Sequence, residues 1–228
     1  MRTSIRCISQ PRTTLVAIVI LIAACTPIQL STSTSSYDAT IPLNWFNLSL
    51  KLVQETPGFS PPVASRAFGY LGVTLYQAVQ PGMPGSITLV GQLNKLPELP
   101  APDQLAHYHW ALAANRALAV MMLRMFPTTT PQNLAAIAAL ESHWNEQYAG
   151  EVDKATYQAS IAWGDTIANA IYIWSLSDGG NEGYERNFPA EYLPPESPGK
   201  WVSTPPAFSK ALLPYWGQNR PFVLQNGS

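Results

Sequence analysis

From Asp178 to Leu224 the chain carries Asp178-Gly179-Gly180, Gly183-Tyr184-Glu185-Arg186-Asn187-Phe188-Pro189, Pro198-Gly199-Lys200-Trp201, Thr204-Pro205-Pro206 and Pro214-Tyr215-Trp216-Gly217-Gln218-Asn219-Arg220-Pro221-Phe222. Proline removes a backbone donor and fixes φ, so prolines this frequent exclude long helices and central strands. Loop and short turns are expected from Gly180 to Ser228. Any hydrophobic core must then come from the residues before this run. A structureless stretch of that length inside a compact domain is unusual and calls for a surface to cover it.

The preceding residues read as helices, with no strand pattern. Leu43 to Glu55 predicts a short first helix with Phe46, Leu50 and Val53 on its inner side. Ser60 as cap and Pro61 at the first helical position open a second. Its inner stripe is Val63, Ala67, Leu71, Leu75 and Ala78, and Pro81-Gly82 ends it. Gly69 and Gly72 would admit a neighbouring helix closely. Asp103 is the expected cap of a third helix with a Leu105, Tyr108, Leu112, Ala119, Val120, Leu123 stripe, ending before Pro127. Thr130-Pro131 opens a fourth, with Leu134, Ile137, Ala138, Trp144 and Tyr148 inward, closed by Gly150. A fifth runs from about Asp153 to Ser177, with Tyr157, Ile161, Gly164, Ala168, Ile171 and Tyr172 inward. The expectation is an all-α bundle of about five helices with a long Pro/Gly/aromatic-rich tail.

The amino terminus reads as an export signal. Arg2, Arg6 and Arg12 precede a ten-residue apolar run, Leu15 to Ala24, well short of the roughly 20 residues that span a bilayer. Ile22-Ala23-Ala24-Cys25 has the form of a lipobox, with Cys25 as the lipidation site; an ordinary secretory signal is the alternative. Cys7 and Cys25 are the only cysteines, so the exported product would hold no disulfide. The organisation expected is 1–25 signal, 26–42 flexible Ser/Thr-rich tether, 43–180 helical domain and 181–228 irregular tail. The implied location is outside the cytoplasm, lipid-anchored to a bacterial membrane. Removing the leader arginines leaves a formal charge of −4, and no basic patch marks a nucleic-acid partner.

Taken together, Pro61-Pro62-Val63-Ala64-Ser65-Arg66-Ala67-Phe68, Leu75-Tyr76-Gln77-Ala78-Val79, Ala113-Ala114-Asn115-Arg116-Ala117-Leu118-Ala119 with Phe126-Pro127, and Asp178-Gly179-Gly180 with Tyr184 and Asn187-Phe188-Pro189 carry a resemblance. In order and spacing they resemble secreted bacterial vanadium-dependent haloperoxidase-like proteins, relatives of the PAP2-type acid phosphatases. That resemblance implies a vanadate or phosphate cage built from one Lys, two Arg, Ser and Gly donors and two His. The family carries these on Lys-x6-Arg-Pro, Pro-Ser-Gly-His and Ser-Arg-x3-Gly-x-His. Charge-assisted donors of this kind are what a tetrahedral oxyanion requires.

None of the three motifs is complete here. Arg220-Pro221 ends like the first, but Leu213 stands where its Lys belongs and Lys210 is out of phase. Ser197-Pro198-Gly199 is followed by Lys200 rather than His, and Ser65-Arg66 is followed by Tyr70 and Gly72 where Gly and His are required. No catalytic, cofactor-binding or metal residue is therefore assigned. The expectation is the front helical part of such an enzyme, inactive alone, arising from an early stop, a frameshift or a split gene whose catalytic half is encoded separately; the alternative is a lipid-anchored helical scaffold or binding protein. Vanadate is expected only for full-length relatives.

The remaining candidates read as structural. His107 and His109 point apart on a helix. His143 and Glu146 supply one pair where a carboxylate-bridged metal bundle needs several, so a surface hydrogen bond is expected. Asp165 reads as a helix-surface or capping residue, Met121, Met122 and Met125 as core filling, and Trp201 and Trp216, if exposed, as a docking surface.

Overall fold

A computed structural model describes residues 32–225, so Cys25 and the leader lie outside the described residues. The elements are α1 (Thr40–Glu55), α2 (Pro61–Val79), α3 (Trp110–Met125), α4 (Pro131–Ala149) and α5 (Lys154–Ser175), with 3-10 turns at Thr34–Ser36, Gln80–Gly82, Gly183–Glu185 and Trp216–Gln218. The described residues are helical with no strands, as expected.

Side-chain caps open three of the five helices, α3, α4 and α5. Thr130 accepts from the Asn133 amide at 3.2 Å and Asp153 from Ala155 and Thr156, each satisfying an orphan N–H of the first turn. Thr130→Ala is expected to lower stability by about 1 kcal/mol, read as a shift in urea midpoint. Ser60 occupies the cap position of α2 but makes no cap bond; its hydroxyl donates to Asn187 Oδ1 at 2.5 Å, tying α2 to the later loop. α1 begins at Thr40, inside the expected tether, and Thr34 Oγ1 donates to Val79 O at 2.9 Å.

The start of α3 departs from expectation. Asp103 does not cap a helix; its carboxylate accepts from the Leu105 amide at 2.9 Å in a local turn, and the helix begins seven residues later. His109 is the cap, its Nδ1 accepting from the Leu112 amide at 3.2 Å. Of the expected stripe, Tyr108, Leu112, Ala119 and Val120 are buried, but Leu105 and Leu123 are exposed. Thirteen of the sixteen α3 residues are buried, which makes it an all-round buried helix rather than an amphipathic one. α1, α2, α4 and α5 all pack on it, and five alanines keep its surface low enough for that.

Among the glycines inside helices the tightest approach is at Gly164 of α5, where an added Cβ would lie 2.6 Å from Ala113 O of α3. Gly69 admits the Phe222 ring of the tail rather than a helix, and Gly72 faces open space. α1 is turned from its expected face: Ile41, Trp45, Ser49 and Leu52 are buried while Leu50 is exposed. On α4 only Asn133 and Ile137 are buried and Leu134 is exposed, so this helix is peripheral. Asn115 joins three helices by accepting from Trp45 Nε1 at 2.8 Å and donating to Glu141 O and Asn145 Oδ1.

His109 gives the fold a pH dependence. It is buried, edge-on to Tyr37 and tilted against Tyr148, with its backbone N–H on Ser160 Oγ. Burial lowers its pKa, and the Glu151 charge opposes this only in part. The neutral ring is thus the folded form, and protonation would replace the Nδ1 acceptor with a donor. Stability is expected in full above the ordinary histidine value of about 6.5 and to fall as pH drops through the lower folded value. His109→Asn, which retains a capping oxygen, should flatten that fall in melting temperature.

Candidate functional site

The most deeply buried ion pair among the described residues lies in a knot where α2, the end of α5 and the tail meet. Arg66 and Tyr70, four apart on α2, share one face. Asp178 follows α5 and is 5% exposed. Its Oδ2 accepts from Arg66 Nε at 2.7 Å and from the Tyr70 hydroxyl at 2.8 Å, and its Oδ1 from the Gly180 amide at 2.7 Å. Arg66 also donates to Ser175 O at 2.8 Å. Gly180 leaves room for this arginine, since an added Cβ would lie 2.9 Å from Arg66 Cδ.

The tail closes the knot. The Arg220 amide donates to Asp178 O at 2.7 Å, and its guanidinium donates to Trp174 O at 2.8 Å, Ser177 Oγ at 2.9 Å and Tyr70 Oη at 3.3 Å while lying over the Trp174 ring. Phe222 packs on Tyr70 and Trp174. Asn94 binds Phe222 O through its amide and Pro221 O through its side chain. Burial and the Asp178 carboxylate push the Tyr70 phenol far above its ordinary value, against the pull of both arginines. A phenol held protonated this firmly is no proton-transfer group near neutrality.

Vanadate, which the resemblance implies for relatives, does not fit these residues. Asp178 holds Arg66, Glu141 and Asp165 hold Arg116, Trp174 O and two hydroxyls hold the terminal nitrogens of Arg220 and leave only its Nε without a partner, and the buried histidine serves as a helix cap. Among the described residues no group of three His, Cys, Asp or Glu is placed to hold a metal ion.

Beside the knot lies a cleft of about 450 Å³ between the loop after α5 and residues 213–219, with Glu185, Arg186, Phe188, Glu191, Tyr215 and Trp216 on its walls. Its size is that of a small-molecule site, but neither imidazole nor thiol lines it. Arg186 is occupied by Gly179 O and Asn181 O.

The other sequence candidates fall apart from one another. His107 is exposed, and His143 is exposed against the Trp144 ring rather than bonded to Glu146. Asp165 pairs with Arg116 at 2.8 Å on the helix surface. Met121, Met122 and Met125 are buried core residues. Trp201 is exposed and Trp216 half-buried. The knot of Arg66, Tyr70 and Asp178 is not foreseen from sequence; the signal available was the i, i+4 spacing of an arginine and a tyrosine on an apolar helix.

No family model matches the sequence, and no curated protein matches it. The fold does match a solved structure, described as the first bacterial vanadium-dependent iodoperoxidase, with a TM-score of 0.67 and 28% sequence identity. The match covers 82% of this chain and 43% of that one, so this chain spans less than half of the neighbour's length. Over that span, it has a distant haloperoxidase-like helical fold.

Proposed function

We propose that this chain is the amino-terminal, non-catalytic helical half of a haloperoxidase-like protein, and that a complementary half carries the oxyanion cage. The observation that carries this reading is the asymmetry of the match: most of this chain finds a counterpart, while more than half of the neighbour does not. Among the described residues no histidine reaches the knot, and Arg66 there is paired with Asp178, which supports it. In this reading the complementary half would bring vanadate and oxidise halide with peroxide; this chain's residues would brace the helices on which that half rests. An export signal and a lipid on Cys25 would place it on a bacterial membrane, and Cys25→Ser should move it from the membrane fraction to the soluble one.

The test is direct. Purified chain with orthovanadate, peroxide and iodide or bromide is expected to halogenate no faster than a protein-free control. Sustained turnover abolished by Arg220→Ala would overturn the reading, as would stoichiometric tight uptake of vanadate. A second reading, a lipid-anchored scaffold, is favoured by the exposed aromatics of the tail. DNA following codon 228 separates the two: Pro-Ser-Gly-His and Ser-Arg-x3-Gly-x-His in another frame or an adjoining gene support the half-enzyme.

A further inference from the structure

Residues 188–212 form a loop whose two ends are clamped together and whose interior packs on the rest of the described residues through the Tyr192 ring, edge-on to Tyr215. The Leu213 amide donates to Asn187 O at 2.8 Å, closing it. Asn187 is fixed in turn by donating to Gly58 O at 2.7 Å and Tyr184 O at 3.1 Å and by accepting from Ser60. Leu213 is buried with φ 45, a left-handed conformation that a branched side chain holds only where its surroundings enforce it.

Between these anchors no residue is buried. The hydrogen bonds of the loop stay within it, such as Phe208 N to Thr204 O at 3.0 Å and Ser203 Oγ to Ser209 O at 2.7 Å. Leu193 is 85% exposed, Val202 65% and Phe208 64%, with Phe188, Trp201 and Leu212 also exposed. Ordering a loop this long costs conformational entropy that nothing in the chain's own core offsets, and long closed loops of this kind are commonly binding elements.

We infer that this loop is a docking arm for the complementary half proposed above, an inference that rests on that reading. The occupant follows from three observations. The loop carries Glu191 and Glu196 against Lys200 and Lys210, so its charges cancel and it suits an apolar protein surface better than nucleic acid or anionic lipid headgroups. Its apolar side chains stand outside the knot and the helical core, available to a second body. The matched neighbour contains such a body, the part of its chain without a counterpart here.

The experiment co-expresses the tagged full chain with the unmatched portion of the iodoperoxidase and follows co-purification. Co-purification with the parent chain that drops by about tenfold or more in W201D/F208D is the expected result. Both substitutions lie on exposed side chains, so the melting temperature of the double variant should match the parent's. Equal retention by parent and variant overturns the docking arm and leaves the half-fold reading standing. No retention by either overturns the half-fold reading, and the arm with it. Concentration-dependent dimers of the chain alone, or binding to phosphatidylethanolamine/phosphatidylglycerol vesicles, lost in the same variant while retention of the unmatched portion is unchanged, would assign the loop to a second copy or to lipid and overturn the inference.

Discussion

Asp178→Ala is expected to lower the unfolding free energy by about 3–5 kcal/mol, the range for breaking a buried ion pair from one side. The magnitude follows from burial: the Asp178 side chain is 5% exposed and that of Arg66 12%, so water does not readily replace the carboxylate. Alanine leaves the guanidinium without a counter-charge and deprives the Tyr70 hydroxyl and the Gly180 amide of their acceptor. An exposed pair would be worth only about 0–1 kcal/mol, so the measurement discriminates clearly. Asp178→Asn, which keeps one oxygen but not the charge, should fall between. The readout is the urea midpoint at unchanged m-value; a loss under about 1 kcal/mol would show that solvent takes over the carboxylate's role. A double cycle with Arg66→Met should recover much of the loss, because removing both charges removes the stranded one.

The second large effect is expected at Gly164. By helix propensity alone, alanine should stabilise the middle of α5 by about 1 kcal/mol. Packing opposes this: the new methyl would lie 2.6 Å from Ala113 O, 2.9 Å from Arg116 Cβ and 3.1 Å from Ala117 N. Two of these three atoms are backbone within a helix packed on every side, so the contact cannot relax by a side-chain rotation. Overpacking of that kind costs about 1–3 kcal/mol, and a backbone clash belongs at the upper end. A net loss of about 2 kcal/mol in chemical denaturation is the expected outcome, propensity offsetting only part of the clash. Stabilisation would mean that α3 and α5 can separate without penalty.

Sequence pattern carried the helix inventory because caps and breakers act within a few residues. Thr130-Pro131 and Asp153 specify helix starts through hydrogen bonds to amides two or three residues away. The same locality explains the error at α3. Asp103 satisfies its nearest amide equally well in an isolated turn, and only packing against Tyr37, Tyr148 and Ser160 makes His109 the cap that counts. The face of α1 was ambiguous for a related reason. Apolar residues at 41, 43, 45, 46, 48, 50, 52 and 53 surround it, and only contact with α3 selects the Trp45 side.

The candidate site was less legible than the helices. Arg220 was visible as a loop arginine, yet its partners Trp174 and Tyr70 lie 46 and 150 residues away. Arg66 and Asp178 are 112 residues apart. No periodicity links such positions.

What the chain's letters determined unaided was an all-α body of five helices, because capping and propensity are properties of a residue and its immediate neighbours. Tertiary structure alone decided that α3 is enclosed on all sides, that α5 meets α3 closely at Gly164, and that Arg66, Tyr70, Asp178 and Arg220 meet. Such contacts depend on how whole helices are placed in space, and a buried charge finds its partner only after the core has set that placement.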